Sequence, residues 1–134
     1  MSSIGVALAG AGAFGVKHLE AMQKIDGVRV LSLIGRELDK TREVAQKFGV
    51  AHVTTDLAEA LQRPEINAVI LCTPTQMHAA QAIACLKAGK HVQVEIPLAD
   101  SWEDAQAVAQ WQKQTGHVCM VGHTRRFNPS HQWI

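Results

Sequence analysis

The sequence predicts an α/β fold of three layers, in which helices cover both faces of a parallel sheet. Three observations carry this. Short apolar runs rich in β-branched residues alternate with longer stretches of helical spacing. The runs are apolar at nearly every position, which suits strands buried on both faces. Glycine follows four of the five helical stretches, at Gly27, Gly49, Gly89 and Gly116, where a left-handed cap ends a helix without a Cβ penalty.

The elements follow in order. Strands are expected at Ile4–Ala9, Val28–Ile34, 68–72, 91–94 and 118–122, with a weaker one at His52–Thr54. Helices are expected near 13–25, 38–48, 56–62, 77–88 and 101–115. In the fourth of these, Ala79, Ile83 and Leu86 recur at four- and three-residue spacing, so they share one face. Ser101 followed by Asp104 is a capping pattern for the start of the last helix. Ser130 to Ile134 read as the first turn of a further helix, so the chain is expected to be cut rather than finished there. No internal repeat, low-complexity tract or linker interrupts the alternation.

At 134 residues the chain is long enough for one core and too short for a separate substrate domain. A 47% hydrophobic and 19% charged composition is that of a globular chain, not a disordered one. Thirteen basic against twelve acidic residues leave no excess to neutralise a phosphate backbone, and 4% aromatics provide no base-stacking platform, so nucleic acid is not an expected partner. The longest apolar candidate, 4–16, is broken by four glycines and lacks a basic leader, so no membrane span or signal peptide is expected and the location is cytoplasmic. Cys72, Cys85 and Cys119 are odd in number, far apart and set in apolar stretches, which fits buried thiols in a reducing compartment. The seven histidines show no metal-ligand spacing, so no metal is expected. Trp102 and Trp111 are expected to cover the sheet or a partner surface, and Trp133 lies in the cut segment.

The first strand runs into Gly10-Ala11-Gly12-Ala13-Phe14-Gly15 and then a helix. G-x-G-x-x-G between strand and helix is the dinucleotide-binding fingerprint of a Rossmann-type domain. Gly10 permits the tight turn, Gly12 lets a pyrophosphate reach the backbone, and Gly15 lets the helix pack against the strand. The freed N–H groups and the helix dipole then face the phosphates, over Ala13 and Phe14. The bland alternative is a merely structural glycine turn.

The fingerprint usually places a carboxylate about twenty residues on, at the ribose 2′-hydroxyl. Here the second strand ends in Ile34-Gly35-Arg36, with Glu37 only after the arginine. Gly35 leaves space, and Arg36 offers a planar, permanently charged fork suited to phosphate, with Lys40 and Arg42 nearby. NADP is therefore expected over NAD, which stays possible. The alternative is that Arg36 stacks on adenine or is solvated.

Ligands in this fold lie at the carboxyl ends of the strands. Those tips carry Cys72-Thr73-Pro74-Thr75-Gln76-Met77-His78, then Glu95-Ile96-Pro97, then His123 to Pro129. Following one G-x-G-x-x-G, they resemble the nucleotide-binding half of the glucose–fructose oxidoreductase/inositol dehydrogenase (Gfo/Idh/MocA) family. Its T-P-x-x-x-H matches Thr73, Pro74 and His78. Its G-K-H-V strand and E-K-P match Gly89 to Val92 and then Glu95, Ile96 and Pro97, and its R-F-x-P matches Arg126 to Pro129. The resemblance covers the whole chain. It implies that Thr73, Pro74, Thr75, His78, Glu95 and Ile96 lie beside the cofactor, and that 1–134 is one NAD(P)-binding domain. Residues 123–134 then begin the connection to an absent substrate and dimerisation domain, which makes the longer protein a homo-oligomer.

The wording of AGAGAFG, CTPTQMHA, GKHVQVEIPLADSW and VCMVGHTRRFNPSHQ is similar to a branch of this family that uses NADP to oxidise the cyclic hemiacetal of a small carboxylated semialdehyde in the breakdown of aromatic compounds. One departure matters. The family lysine of E-K-P is Ile96 here, and isoleucine neither moves a proton nor polarises an alcohol. His91 reads as structural, His78 starts a helix and either touches the cofactor or merely caps, and His123 stands at a strand tip within expected reach of the nicotinamide. Arg126 is the candidate for a substrate carboxylate, or for a tie to the absent domain, and Asn128 for orienting the ring. Other readings remain: a sugar or polyol dehydrogenase of the same family, or an NADP-binding module without catalysis.

Overall fold

The computed structural model describes residues 2–132. Strands β1 (Ile4–Ala9), β2 (Val28–Ile34), β3 (His52–Thr54), β4 (Ala68–Leu71), β5 (His91–Glu95) and β6 (Cys119–Gly122) form one sheet in the order β3-β2-β1-β4-β5-β6. Every neighbouring pair is parallel. Helices α1 (Ala13–Met22), α2 (Leu38–Phe48), α3 (Leu57–Leu61), α4 (Thr75–Lys87) and α5 (Trp102–Thr115) connect them. The three-layer Rossmann-type fold expected from the sequence is the fold found. The chain winds outward in both directions from β1 and β4, so the crevice of the fold opens between their carboxyl ends.

The apolar runs are continuous because successive side chains enter different cores. On β1, Val6 and Leu8 pack with Leu19, Met22 and Ala45 of α1 and α2. Ala7 and Ala9 face the other way, toward Ala60, Ala82, Leu86 and Val108 of α3, α4 and α5. A one-sided sheet would have needed a polar residue at every second position.

Helix ends follow local chemistry. Ser101 Oγ accepts from Asp104 N at 3.1 Å, as its spacing suggests. Gly27, Gly49, Gly89 and Gly116 all have positive φ. The first helix is shorter than its apolar pattern, ending at Met22 rather than near residue 25, because Lys24 and Ile25 turn back onto carbonyls three residues behind. The fourth starts earlier than expected, at Thr75, where Pro74 needs no N–H partner. The expected helical turn after residue 130 is instead the second of two 3₁₀ turns, Thr124–Phe127 and Pro129–His131. Trp133 and Ile134 lie outside the described residues. Trp111 packs on the core beneath the Lys87 ammonium, whereas Trp102 is exposed and covers no part of the sheet.

Two polar braces hold the ends of the sheet. At the amino end the buried Lys90 ammonium donates to the carbonyls of Arg63 and Ile66, at 3.0 and 2.7 Å. It satisfies a turn that would otherwise bury bare acceptors. At the β3 edge, His52 Nδ1 lies 2.8 Å from the buried Ser32 hydroxyl, and its Nε2 donates to Glu59 Oε1 at 3.0 Å. The Thr54 hydroxyl donates to Glu59 Oε2 at 2.6 Å. Ser32 is shut off from solvent, so this serine–histidine–glutamate series is a strut, not a nucleophile.

Those hydrogen bonds, the Thr54 one first and the His52 one next, hold the Glu59 carboxyl below its ordinary 4.5. A carboxyl depressed by folding stabilises the fold above its unfolded value, and the contribution is lost as pH falls through the lower folded value. We expect the thermal advantage of the wild type over Glu59→Gln to be full at neutral pH and to shrink as pH falls below the ordinary carboxylate value of 4.5. Melting curves across that range check it, and a gap that stays constant would show that the carboxylate charge is not what the strut uses.

Candidate functional site

The glycine loop has the geometry that its spacing implies. Gly10 adopts φ +112°, and a Cβ there would collide with the carbonyl of Cys72. A Cβ on Gly15 would collide with the Gly10 carbonyl, so α1 packs as closely on β1 as two backbones allow. Gly12 is extended, and a Cβ on it would meet no atom within 4 Å. It therefore faces open space, as a backbone that receives a ligand must. No side chain caps the start of α1 and no acidic residue stands in its first turn. The N–H groups at Ala13 and Phe14 and the positive end of the helix dipole are left for an anion.

Beside this loop, a cavity of about 340 Å³ opens at the tips of β4 and β5. Phe14, Thr73, Thr75, His78, Glu95 and Ile96 line it, together with Cys72 and Thr124. Six residues expected at a cofactor from three separate stretches thus share one cavity. His78 is buried, with Nδ1 2.7 Å from the Pro97 carbonyl and Nε2 2.7 Å from the Thr73 carbonyl. The ring pins the β4 tip to the β5 tip and has no polar atom left for a cofactor. The Ile96–Pro97 peptide between these contacts is cis. Pro74 starts α4.

Glu95 is the one carboxylate in the cavity lining. His18 Nε2, on α1, donates to its Oε1 at 2.8 Å. With Cys72 these side chains place three potential metal-ligand atoms within 4.8 Å of one another. Burial first, and the Glu95 charge second, push the Cys72 thiol up to about 12. The trio reads as a hydrogen-bonded brace beside an inert thiol.

At the far end of the crevice, the space that Gly35 leaves is taken by the Thr41 side chain, against which any Cβ would clash. Gly35 thus serves the packing of α2, and is not an empty seat for phosphate. Gly35 N also donates to the Thr54 carbonyl at 3.1 Å, tying this turn to the β3 strut. Of the three nearby cations, Lys40 pairs with Glu37 at 3.0 Å and Arg42 with Asp39 at 3.4 Å. Arg36 is exposed and makes no ion pair among the described residues.

The last tip departs most from expectation. His123, Arg126 and Asn128 are exposed and do not line the cavity, whereas Thr124 does. Arg125 and Arg126 lie in a 3₁₀ turn. Asn128 Oδ1 accepts from Ser130 N at 3.0 Å and from Ser130 Oγ at 2.8 Å, so that oxygen caps the next turn and does not orient a ligand. His91 is structural as expected, its Nδ1 accepting from Val118 N at 3.0 Å. His18, Cys72 and Thr124 carried no motif signal of their own. His18 was legible only as the residue one helical turn after Phe14.

Comparison with known proteins agrees with this geometry. Residues 4–123 match the family described as "Oxidoreductase family, NAD-binding Rossmann fold". A 4-carboxy-2-hydroxymuconate-6-semialdehyde dehydrogenase of Sphingobium sp. (strain NBRC 103272 / SYK-6) is 67% identical over 129 residues, 96% of this chain and 41% of that protein. GenD2 from gentamicin A biosynthesis, solved with NAD, superposes at TM-score 0.92 and 30% identity over 96% of this chain and 37% of its own. Biliverdin reductase from Synechocystis sp. PCC 6803, solved with biliverdin and NADP+, superposes at 0.89 and 29% identity over 96% and 40%. The chain thus spans about two fifths of the length of these relatives. Among the described residues no helix is long and apolar enough to cross a membrane. On motif, fold and sequence alike, the chain belongs to the Gfo/Idh/MocA oxidoreductase family, through its NAD-binding Rossmann fold.

Proposed function

We propose that this chain is the NADP-binding part of a longer dehydrogenase that oxidises the cyclic hemiacetal of 4-carboxy-2-hydroxymuconate-6-semialdehyde to 2-pyrone-4,6-dicarboxylate, in protocatechuate 4,5-cleavage. The 67% identity over 129 residues to a dehydrogenase of that name carries the reading. The open face of Gly12 and the uncapped start of α1 fit the pyrophosphate of a dinucleotide. Phe14, Thr73 and Ile96 would border its nicotinamide half, and Arg36 would take the 2′-phosphate. When bound, the nicotinamide supplies hydride acceptance.

The described residues bind and orient, but none in the cavity is suited to take the hydroxyl proton. Ile96 is aliphatic, both ring nitrogens of His78 face carbonyls, and the Cys72 thiol titrates at about 12. Glu95 is held by His18 through Oε1, and we assign its free Oε2 to the nicotinamide half rather than to the substrate hydroxyl. We assign the proton acceptor to the remainder of the longer protein. Phe14, Met77, Ile96, Trp102 and Phe127 are exposed around the strand tips, an apolar rim that suits coverage by that remainder.

The full-length protein should reduce NADP with the semialdehyde and not with inositols or glucose, and these 134 residues alone should bind NADP without turnover. Turnover of a polyol and not of the semialdehyde would overturn the substrate assignment. Enzymatic turnover by the short chain would overturn the location of the acceptor.

Gly12→Ala should leave the melting temperature nearly unchanged but weaken NADP binding about tenfold or more, because the methyl fills the phosphate seat. Gly15→Ala should instead destabilise the fold by about 1–3 kcal/mol through overpacking. Equal effects of both on stability, seen in denaturant titrations, would contradict this division. Arg36→Glu should lower NADP affinity about ten- to a hundred-fold, the worth of one charge-assisted hydrogen bond, and spare NAD. Unchanged NADP affinity in calorimetry would make Arg36 a solvated side chain.

A further inference from the structure

The His18–Glu95 contact joins two parts of the chain 77 residues apart. His18 sits on α1, one turn beyond Phe14, and the two rings touch at a centroid distance of 5.9 Å. Glu95 ends β5, immediately before Ile96. The contact therefore ties the helix that opens the phosphate loop to the strand tip that carries the far wall of the cavity. Phe14 and Ile96, the side chains on its two sides, are 50% and 51% exposed and line the same cavity. Glu95 is enclosed: its carboxylate lies against Gly122, where a Cβ would meet Oε1 at 3.1 Å, and beside the Cys72 thiol. The groups packed round it thus come from α1, β6 and the β4 tip, and His18 is its one hydrogen-bond donor among the described residues. Oε2 makes no hydrogen bond among them, yet it is not sealed from solvent.

We propose that His18 is a positioning residue for the nicotinamide half of the cofactor. By holding Oε1 it fixes the second carboxylate oxygen as an acceptor at the cavity, and it sets the spacing between Phe14 and Ile96. The inference rests on the reading of this cavity as the nicotinamide site. It adds that the fit of this half depends on a histidine outside the cavity lining, while the adenosine half, held by the turn at Arg36, does not depend on it. A side chain with an N–H donor at the same reach restores the effect, and an apolar one of similar size does not.

The test uses the chain as it stands, with His18→Leu and His18→Gln, and two probes measured by calorimetry. NADP carries both halves, whereas adenosine 2′,5′-bisphosphate carries only the adenosine half with its 2′- and 5′-phosphates. His18→Leu should weaken NADP about tenfold, the worth of a hydrogen bond to a charged group, and leave the bisphosphate within about twofold of the wild type. His18→Gln should recover most of the NADP affinity. Unchanged NADP affinity in a folded His18→Leu overturns the proposal. So does equal weakening of both probes, which marks a general distortion of the loop, and so does a glutamine variant no better than leucine. If leucine prevents folding, His18→Met, which also lacks a donor, takes its place in the series with the same expected and overturning results. A wild-type chain that binds the bisphosphate but gains nothing from the nicotinamide half sinks the reading of the cavity itself, which the variant series separates from failure of the His18 role.

Discussion

The carbonyl oxygen of Gly10 lies against the α-carbon of Gly15, and the α-carbon of Gly10 lies against the carbonyl of Cys72. Neither contact leaves room for a Cβ. The tip of β1 is thus wedged between the start of α1 and the tip of β4, backbone on backbone. Everything at the carboxyl end follows from this wedge. It sets where the free N–H groups of α1 point. It also fixes Cys72, and with it Thr73, whose carbonyl faces one nitrogen of His78 while the other faces Pro97. A continuous series of short contacts therefore runs from the phosphate loop to the β5 tip. A methyl group anywhere in the wedge would be felt at the far wall of the cavity, because a packed backbone yields little.

This hierarchy explains what could be read from the sequence. The glycines of the loop were legible because each role is a demand on one backbone position: a positive φ, an open face, a close approach. The strands were legible because burial on both faces demands nearly continuous apolar runs, and β1 and β2 appear at the residues the runs marked. Side-chain roles that need a distant partner were not. Nothing in G-K-H-V says that Lys90 reaches carbonyls 24 and 27 residues away. Nothing near His78 says that both its nitrogens are spent on backbone, and an open cofactor contact was an equally good reading until the fold brought Pro97 to it. Arg126 and Asn128 were read from a motif alone, which does not show that the chain turns at once into 3₁₀ geometry after β6, with Asn128 capping the next turn.

The replacement of lysine by Ile96 has consequences beyond the loss of one ammonium. Ile96 is half exposed in a cavity that also contains Phe14, so it adds an apolar wall where the family pattern has a cation. The Glu95 carboxylate next to it then has no lysine neighbour at that position, and its stated partner is His18. A partly buried carboxylate needs a donor or a positive neighbour to stay where it is. The His18 contact therefore carries a larger share of holding Glu95 than it would beside a lysine.

The two ends of the crevice are built from different materials. Between them the proposed phosphate seat is backbone: three glycines and a helix start that any sequence meeting the steric demands would reproduce. The ends are side chains, an exposed guanidinium at Arg36 and an enclosed carboxylate with apolar walls at Glu95. Backbone recognition of a pyrophosphate cannot tell one dinucleotide from another, since all share it. Selectivity must therefore come from the ends, where the ligands differ. At the Arg36 end, the neighbouring cations Lys40 and Arg42 are already paired with Glu37 and Asp39. An added phosphate there meets one guanidinium whose hydrogen-bonding capacity is not spent on a carboxylate, in solvent that screens it only partly at contact distance. The same turn carries no carboxylate ahead of Arg36 to receive a bare 2′-hydroxyl, and Glu37 is held by Lys40. The proposed preference for a phosphorylated ribose rests on both features, a fork for its phosphate and no free acceptor for an unphosphorylated ribose.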